Sequence, residues 1–568
     1  MNQWRPNIDS VVAYVYCYVC LFLTAAPGIN VASTPQHSFI NEAPSNSIVR
    51  YAVFSILNQS QVGFRTVHFV LGHGTKAAGG SPLFRGTNAW EHNIDNGYSS
   101  VLYDGNDTFG LGKYRVYYVA SDPSFGGSIP GESSGSATLY ATSSDGLSFV
   151  KPSLGRVSFQ NSTNNNILWD GTTSVAVFDD IDHDPNASSR FKAWGNLPGL
   201  ATGADLPSLG YTAQLGGSAV SANGLNFTDY RRLQNPSSSK SVKDTWRFDA
   251  QASLYFDHRR QQYVGTMRAF RPCSSCGSCP IWWQPHGGCQ ADLGSTCTAT
   301  QCNHTVRAIG ASLSTSANFS STEWGPNQEI MADHTNPEHQ FYSQVSWPFY
   351  NVYLAIVMVF DAVDPPNVFG KGKVHCELAW STNGSYFERI APGVDFIPHG
   401  KATAPGDPDN AFDSHICFAS ATPIKLQDEI RVYYMGGDGP HYSPPYPDPL
   451  HRNSSFGMMR LQPDRFVGVC LRPNLPVSSG QPSITSVPLQ VSAPKLVVTA
   501  DTATSIPESS ITVSVISGGL VVNCGTLSGR NITDFPLSGC DDLRMDMPAV
   551  LNVSLSGDAV LYTVGFTH

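Results

Sequence analysis

Apolar residues in this chain come in short runs of roughly four to eight, either continuous or alternating with polar residues, and Gly, Pro, Asn, Asp and Ser cluster between the runs. That pattern predicts short β-strands; no window of about twelve residues keeps the 3.6-residue period of a helix. The strands fall into five consecutive groups of four. The first group reads "YSSVLYD", "KYRVYYVAS", "ATLYATSSDG" and "LSFVKP". The second reads "TSVAVFDD", "RFKAWG", "GGSAVSANG" and "LNFTDYR". The third begins at "DAQASLYFD", the fourth at "FYSQVSWPF" and the fifth at "SHICFASATPI", the last closing with "RFVGV". One phrase marks the end of the third strand in four groups: "YATSSDGLSF" (140–149), "AVSANGLNF" (219–227), the looser "SLSTSANFSS" (312–321) and "AWSTNGSYF" (379–387).

A lone four-stranded sheet leaves both faces bare, whereas sheets packed radially cover one another and leave only short edges. The expected architecture is therefore all-β: a five-bladed β-propeller over residues 81–475, with the repeated phrase as the outer hairpin of a blade and Gly supplying its positive φ. Residues 34–80 read as an N-terminal extension whose segment 48–71 adds a strand that closes the ring. The Pro/Ser-rich stretch "RPNLPVSSGQPSITSVPLQ" then leads into a second run of strands, read as a small C-terminal β-sandwich over 478–568.

Composition bears on the compartment. Charged residues make up 14% of the 568 and the formal net charge is −10, with no long basic run, so nucleic acid is not an expected partner. Residues 1–33 combine Arg5, an apolar stretch from Val11 to Ala26 and small residues after it, as a secretory signal does. The apolar stretch is shorter than the roughly 20 residues of a membrane span, so no stable span is expected once the signal is cleaved. Eleven Asn-x-Ser/Thr sequons point to a glycoprotein, secreted or on the cell surface. Of thirteen cysteines, six crowd into 273–302, within an insertion (272–304) in the third blade. Their Cys-x-x-Cys spacing suits zinc or disulfides, and an exported protein favours disulfides. Cys524 with Cys540 is the expected local bridge among the remaining five of the mature chain, one of which is left over.

Candidate chemistry sits where the chain approaches each innermost strand. In a ring these approaches crowd one end of the axis, and four of the five carry acids: Glu91 and Asp95, Asp170, Asp249, and Asp413. The fourth offers Glu338 and His339. Carboxylates sharing a cleft repel one another, so one stays protonated near neutral pH while another is charged. Glycoside hydrolysis needs that pairing. Trp90 adjoins these acids, as Trp169, Trp246 and Tyr98 do, and aromatic faces pack against sugar rings. Arg247, Arg268, His339, Asp413 and His415 are the expected substrate contacts. His375, His399, His415 and His441 are scattered, and no His-x-x-His spacing points to zinc; no cofactor is expected beyond a structural Ca²⁺ among the carboxylates.

On the segments "WEHNIDNGYSSVLYDG", "YATSSDGLSFVKPSLGRVSFQNSTNNNILWDG", "FDAQASLYFD", "DSHICFASATPI" and "VLYTVGF", the chain resembles the five-bladed propeller glycosidases of families 32 and 43. It looks most like bacterial secreted family 32-like proteins that pair such a propeller with a C-terminal sandwich. The resemblance implies a hydrolase acting on furanosides such as fructosides or arabinosides. By blade position it implies Asp95 or Glu91 as nucleophile or base, Asp170 as transition-state stabiliser and Asp249 as general acid. The invertase-type Trp-Met-Asn-Asp-Pro-Asn-Gly, Arg-Asp-Pro and Glu-Cys boxes have no counterpart here, which is the ground for the alternative, a non-catalytic glycan-binding propeller.

Overall fold

A computed structural model describes residues 49–567, apart from 59–66, 126–134, 199–215, 234–250, 273–304, 333–338, 442–450, 473–482 and several shorter stretches, among them residues 93 and 95. The expected signal (1–33) and the Cys-rich insertion thus lie outside the described residues, as do Asp95, Arg247 and Asp249. The regular secondary structure of the described residues is almost entirely strand, with one helical turn at Val53–Ile56 and a 3₁₀ turn at Ala77–Gly80. It divides into two compact units: one spans His73–Gln462, the other joins residues 44–72 to 463–568.

The larger unit holds five antiparallel meanders among the described residues. The first runs Ser100–Tyr103, Tyr114–Asp122, Gly135–Ser143 and Ile167–Asp170, from the inside outward. The second runs Val175–Asp179, Phe191–Gly195, Gly217–Ser221 and Phe227–Arg232. The third runs Ser253–Asp257, Gln262–Pro272, Thr305–Leu313 and Gln328–Met331. The fourth runs His339–Phe349, Val352–Asp361, Val374–Ser381 and Glu388–Arg389. The fifth runs Ile416–Ala419, Ile430–Gly437 and Ser454–Leu461, and a single parallel pairing, Val374 with Ile416, joins it to the fourth.

These meanders surround an axis. Ser100, Val177, Leu254, Ser346 and Ser420, one from each sheet's innermost segment, line a single cavity of about 250 Å³. Gln251, just ahead of the third innermost strand, holds its side-chain amide 3.1 Å from the Ser99 carbonyl, 2.5 Å from that of Ala419 and 2.8 Å from that of Ser420. The Ser99 hydroxyl donates to Ser420 Oγ over 2.6 Å. First, third and fifth sheets therefore meet on one buried amide, as a propeller requires.

The repeated phrase acts at the perimeter. In each of three turns a serine oxygen (Ser143, Ser221, Ser381) accepts the N–H of the glycine three residues on, over 2.8–3.0 Å. Those glycines, Gly146, Gly224 and Gly384, sit at φ +74°, +77° and +72°, which a side chain disfavours. Two of the turns then dock on the preceding sheet. Tyr117 donates its hydroxyl to the Gly224 carbonyl (2.7 Å), and Tyr433 of the fifth sheet donates to that of Gly146 in the first (2.9 Å). In these two places the phrase forms a joint between neighbouring blades.

Two strand assignments differ from the sequence expectation. The outer strand of the first sheet is Ile167–Asp170; "LSFVKP" contributes one bridge, Val150 with Thr142. The outer edge of the fifth sheet is covered by Thr75–Lys76 and Phe84–Arg85, which pair with Ser454–Leu461. Val67–Leu71, expected to close the ring, instead pairs with Val467–Leu471 in the smaller unit, so the boundary falls near 463 and not 475. Apolar patterning identifies a strand but not the edge on which it adds hydrogen bonds.

Among the described residues the smaller unit holds two sheets. Val67–Leu71, Val467–Leu471, Val560–Thr567, Lys495–Asp501 and Asn531–Pro536 follow one another in the first, with Val49–Ala52 also on Val560–Thr567. Ser483–Thr485, Pro548–Ser556, Ser510–Ser517 and Leu520–Ser528 form the second. Ser510–Ser517 alternates buried and half-buried residues, the signature of a sheet with one covered face. Cys524 and Cys540 are bonded as expected, and a second disulfide joins Cys376 to Cys417 across the fourth and fifth sheets. Cys470 is in no disulfide among the described residues; its sulfur lies 3.4 Å from His68 Nε2, its cross-strand neighbour. No helix among the described residues is long and apolar enough to cross a membrane.

Candidate functional site

The segment that leads into the first innermost strand meets the start of the fourth, together with side chains of the third and fifth sheets. The segment ahead of the first innermost strand supplies Asn96 and Tyr98. Asn96 Nδ2 donates to Tyr98 Oη over 3.0 Å, and that hydroxyl lies 3.1 Å from the hydroxyl of Tyr342, near the start of the fourth innermost strand. Tyr98 takes φ +26°, rare for a residue with a side chain, and the turn holds its ring edge-on to Phe418 of the fifth sheet.

Cationic side chains ring this pair of tyrosines. The Arg268 guanidinium stacks 4.0 Å from the centre of the Tyr342 ring. Arg307 lies 5.5 Å from the same ring and donates to Gln340 Oε1 over 2.8 Å. Arg452 donates to Asn96 Oδ1 (3.3 Å) and to the carbonyl of His441 (2.8 Å). His441 Nε2 is 3.0 Å from the Tyr342 hydroxyl. Burial, reinforced by Arg452, Arg307 and Arg268, holds the His441 imidazole well below its ordinary range, so it is neutral at physiological pH and can exchange a hydrogen bond with Tyr342. The arrangement offers aromatic faces, hydroxyls and fixed positive charge at one end of the axis, a set suited to a polar, hydroxyl-rich ligand.

Of the residues singled out from sequence, Arg268 belongs to this cluster. Asp170 is the exposed last residue of the first sheet's outer strand, where the chain turns inward to the second sheet. His339 opens the fourth innermost strand and is 43% exposed, its Nδ1 3.7 Å from Asp361 Oδ1. His415 is half-buried, with Nδ1 2.8 Å from Ser414 Oγ; its carbonyl accepts the N–H of Val374 and so helps to join the fourth and fifth sheets. Trp90 is half-buried and donates its indole N–H to Asn166 Oδ1 over 2.7 Å. Asp95, Arg247 and Asp249 lie outside the described residues. So does Glu338.

Two acids expected at the mouth have structural employment. Glu91 is 3% exposed. Its carboxylate accepts the N–H groups of Thr87 and Asn88 (both 3.0 Å), the Tyr118 hydroxyl, and the Lys151 ammonium at 2.8 Å. Both oxygens are thus occupied in holding the turn that leads into the first sheet, which speaks against a role as nucleophile or base. Asp413 is 1% exposed, with Lys76 Nζ 2.6 Å away and the Tyr434 hydroxyl donating over 2.7 Å. It is an internal ion pair of the fifth sheet and is withdrawn as a substrate contact. Acids stand out in the sequence because acids carry the chemistry. Asn96, Gln251, Tyr342, Arg307 and Arg452 are polar residues with no shared spacing along the chain, and His441 stands in sequence as one of several scattered histidines; only Gln251, a polar residue inside an innermost-strand run, carries a signal.

No family model matches the chain, and no curated protein matches it. Among solved structures, it is similar to an N-acetylgalactosamine deacetylase from F. plautii in complex with blood group B trisaccharide, at 12% identity, over 71% of this chain and 97% of that one, with a TM-score of 0.38. A glycosyl hydrolase from Bacteroides ovatus is similar at 11% identity, over 70% and 95%, with a TM-score of 0.38. An α-L-arabinofuranosidase from Podospora anserina in complex with cellotriose is similar at 10% identity, over 69% and 98%, with a TM-score of 0.37. Likenesses this distant carry no chemistry over to this chain.

Proposed function

We propose that this chain is a secreted glycoside hydrolase-like protein that cleaves furanosidic bonds, of the fructoside or arabinoside type, at the end of the axis where the innermost strands begin. The observation that carries the reading is the position of Asn96 and Gln251. Both are buried on the axis, and they adjoin the two acids assigned to catalysis: Asp95 precedes Asn96, and Asp249 stands two residues before Gln251. In this reading both acids work at the mouth. Asp170, exposed on the connection into the second sheet, is the third.

In this reading Asp95 is the nucleophile or base, Asp170 steadies the developing positive charge on the sugar, and Asp249 protonates the leaving oxygen. Tyr98 and Tyr342 offer ring faces and hydroxyls to the sugar, with Arg268 behind them; His339, His415, Arg247 and Trp90 are further contacts. A carboxyl separation of about 5–5.5 Å would give retention of configuration and about 6.5–9.5 Å inversion.

The test is turnover of aryl furanosides and of plant and algal polysaccharides by the purified, full-length protein. Wild type is expected to hydrolyse at least one of them, and Asp249→Asn and Asp95→Asn to lower kcat by orders of magnitude with unchanged thermal unfolding. Full activity in Asp249→Asn removes it from the mechanism. An inert wild type that still binds oligosaccharide in calorimetry supports the glycan-binding alternative, to which the structural roles of Glu91 and Asp413 already lend weight.

A further inference from the structure

Away from the tyrosine–arginine cluster, the fourth sheet carries a second group of chemistry-bearing side chains. His375 is the second residue of the strand Val374–Ser381, while Asp395 and His399 lie on the segment that follows the sheet's outer strand. Nothing in their spacing along the chain suggests a ligand set. In the fold, one ligand atom from each of the three lies within 4.8 Å of the other two.

The orientation of the two imidazoles is the telling feature. His375 turns Nε2 outward to Asp361 Oδ2, 2.9 Å away, and Nδ1 inward to Asp395 Oδ1 at 2.8 Å. His399 turns Nε2 outward to the carbonyl of Val374 at 3.1 Å, and Nδ1 inward to Asp395 Oδ2 at 2.9 Å. A carbonyl oxygen can only accept, so His399 Nε2 carries a hydrogen; the Asp361 carboxylate imposes the same on His375 Nε2. Each ring thus has its outer nitrogen committed as a donor, and the Nδ1 hydrogen, now donated to Asp395, is the one a metal ion would displace as a proton to solvent. Two such Nδ1 atoms and one carboxylate face a common point. An outer carboxylate or carbonyl that fixes the tautomer of an inward-facing histidine is how metal-ligating imidazoles are held.

The frame is rigid. Cys376, next to His375, is bonded to Cys417 of the fifth sheet. Phe396 and Ile397, between Asp395 and His399, are 2% and 1% exposed, and the Phe396 N–H donates to the Cys376 carbonyl over 2.7 Å. The three ligand side chains themselves remain 9–24% exposed, so an ion and a water molecule can reach them.

We infer that His375, Asp395 and His399 form a binding site for one divalent transition-metal ion, with zinc the best-matched ion, held by two Nδ1 atoms and a carboxylate with one position open to solvent. Imidazole and carboxylate are ordinary zinc ligands at about 2.0–2.2 Å, and three protein ligands with an open fourth position are a common tetrahedral arrangement. The ion would replace the hydrogen bonds that now join Asp395 to the two rings. Asp361 and the Val374 carbonyl would keep their present contacts as orienting partners.

The experiment uses the full-length, chelator-stripped protein with Zn²⁺ as the probe. Equilibrium dialysis and metal analysis are expected to find one Zn²⁺ per chain in wild type, with affinity reduced at least tenfold in His399→Gln and in Asp395→Asn. The Co²⁺ form should show d–d bands without sulfur-to-metal charge transfer, and X-ray absorption on the wild-type zinc form should show imidazole scattering and no sulfur shell. Those spectra need no variant to fold. Absence of bound zinc, zinc retained undiminished in both variants, or a sulfur shell that puts the ion on the cysteines of 273–302 would each overturn the site.

Discussion

The Tyr433 hydroxyl donates to the carbonyl of Gly146 over 2.9 Å, joining two residues 287 positions apart, in the fifth and first sheets. The same bond recurs between Tyr117 and Gly224, 107 positions apart, in the first and second. A short sequence repeat is thereby turned into a physical joint: the turn of one blade presents a carbonyl to a tyrosine on the blade before it.

Tyr433→Phe should therefore destabilise the larger unit by about 1–2 kcal/mol, because the Gly146 carbonyl is left without its buried donor. Tyr117→Phe should cost a similar amount. Denaturant unfolding of the two variants checks this, and no loss in either would remove the joint as a source of stability.

Gly146→Ala should be more harmful than Gly155→Ala, although both glycines have positive φ, at +74° and +66°. Around Gly155 there is open space, so the alanine there meets only the backbone penalty of about 1–2 kcal/mol. At Gly146 a Cβ would also overlap the Arg431 guanidinium and the Tyr433 hydroxyl. Melting temperatures of the two variants, compared side by side, decide it.

The first turn should also respond to acid. The Asp145 carboxylate accepts the N–H groups of Ser148 and Leu147, both at 2.8 Å, and these bonds, the one from Ser148 foremost, pull its pKa down to about 2. A depressed carboxyl stabilises the fold above its unfolded value, near 3.9. That contribution fades as pH falls through the folded value. The Tm difference between wild type and Asp145→Asn should be constant from pH 7 to about 5, shrink below about 4 and vanish near 2. The side chain is exposed, so the effect is small; a difference that grows on acidification would contradict it.

Glu91→Gln separates a structural acid from a catalytic one. The change leaves the Lys151 ammonium without its charged partner and should destabilise by about 2–4 kcal/mol. Hydrolysis per folded molecule should be unchanged. A variant of full stability and lost turnover would return Glu91 to the mechanism.

Much of the architecture was legible because burial writes itself into local patterning. Runs such as "VYLAIVMVF" are buried on both faces, and they read as strands of an inner sheet. The Ser-x-Asn/Asp-Gly phrase read as a turn because only glycine takes the required φ cheaply, and all three glycines obey. Cys524 and Cys540 read as a bridge from their proximity in the chain. The partner of Val67–Leu71 was not legible, since its side-chain pattern is the same whichever edge it joins. Glu91 and Asp413 read as reactive acids because the donors that occupy them (Lys151, Tyr118, Lys76, Tyr434) come from distant segments.

Local order along the polypeptide was enough to determine the all-β class, the succession of four-stranded sheets and the turns between them, since strand and turn preferences act over a few residues. Only tertiary closure decided which edges pair, which carboxylates are consumed as internal ion pairs, and that Tyr98, Arg268, Tyr342 and His441 share one end of the axis. Closure likewise brought His375, Asp395 and His399 within bonding reach of one ion. Such meetings depend on distances between segments tens to hundreds of residues apart, and those distances are set by how sheets pack, which no short stretch of sequence records.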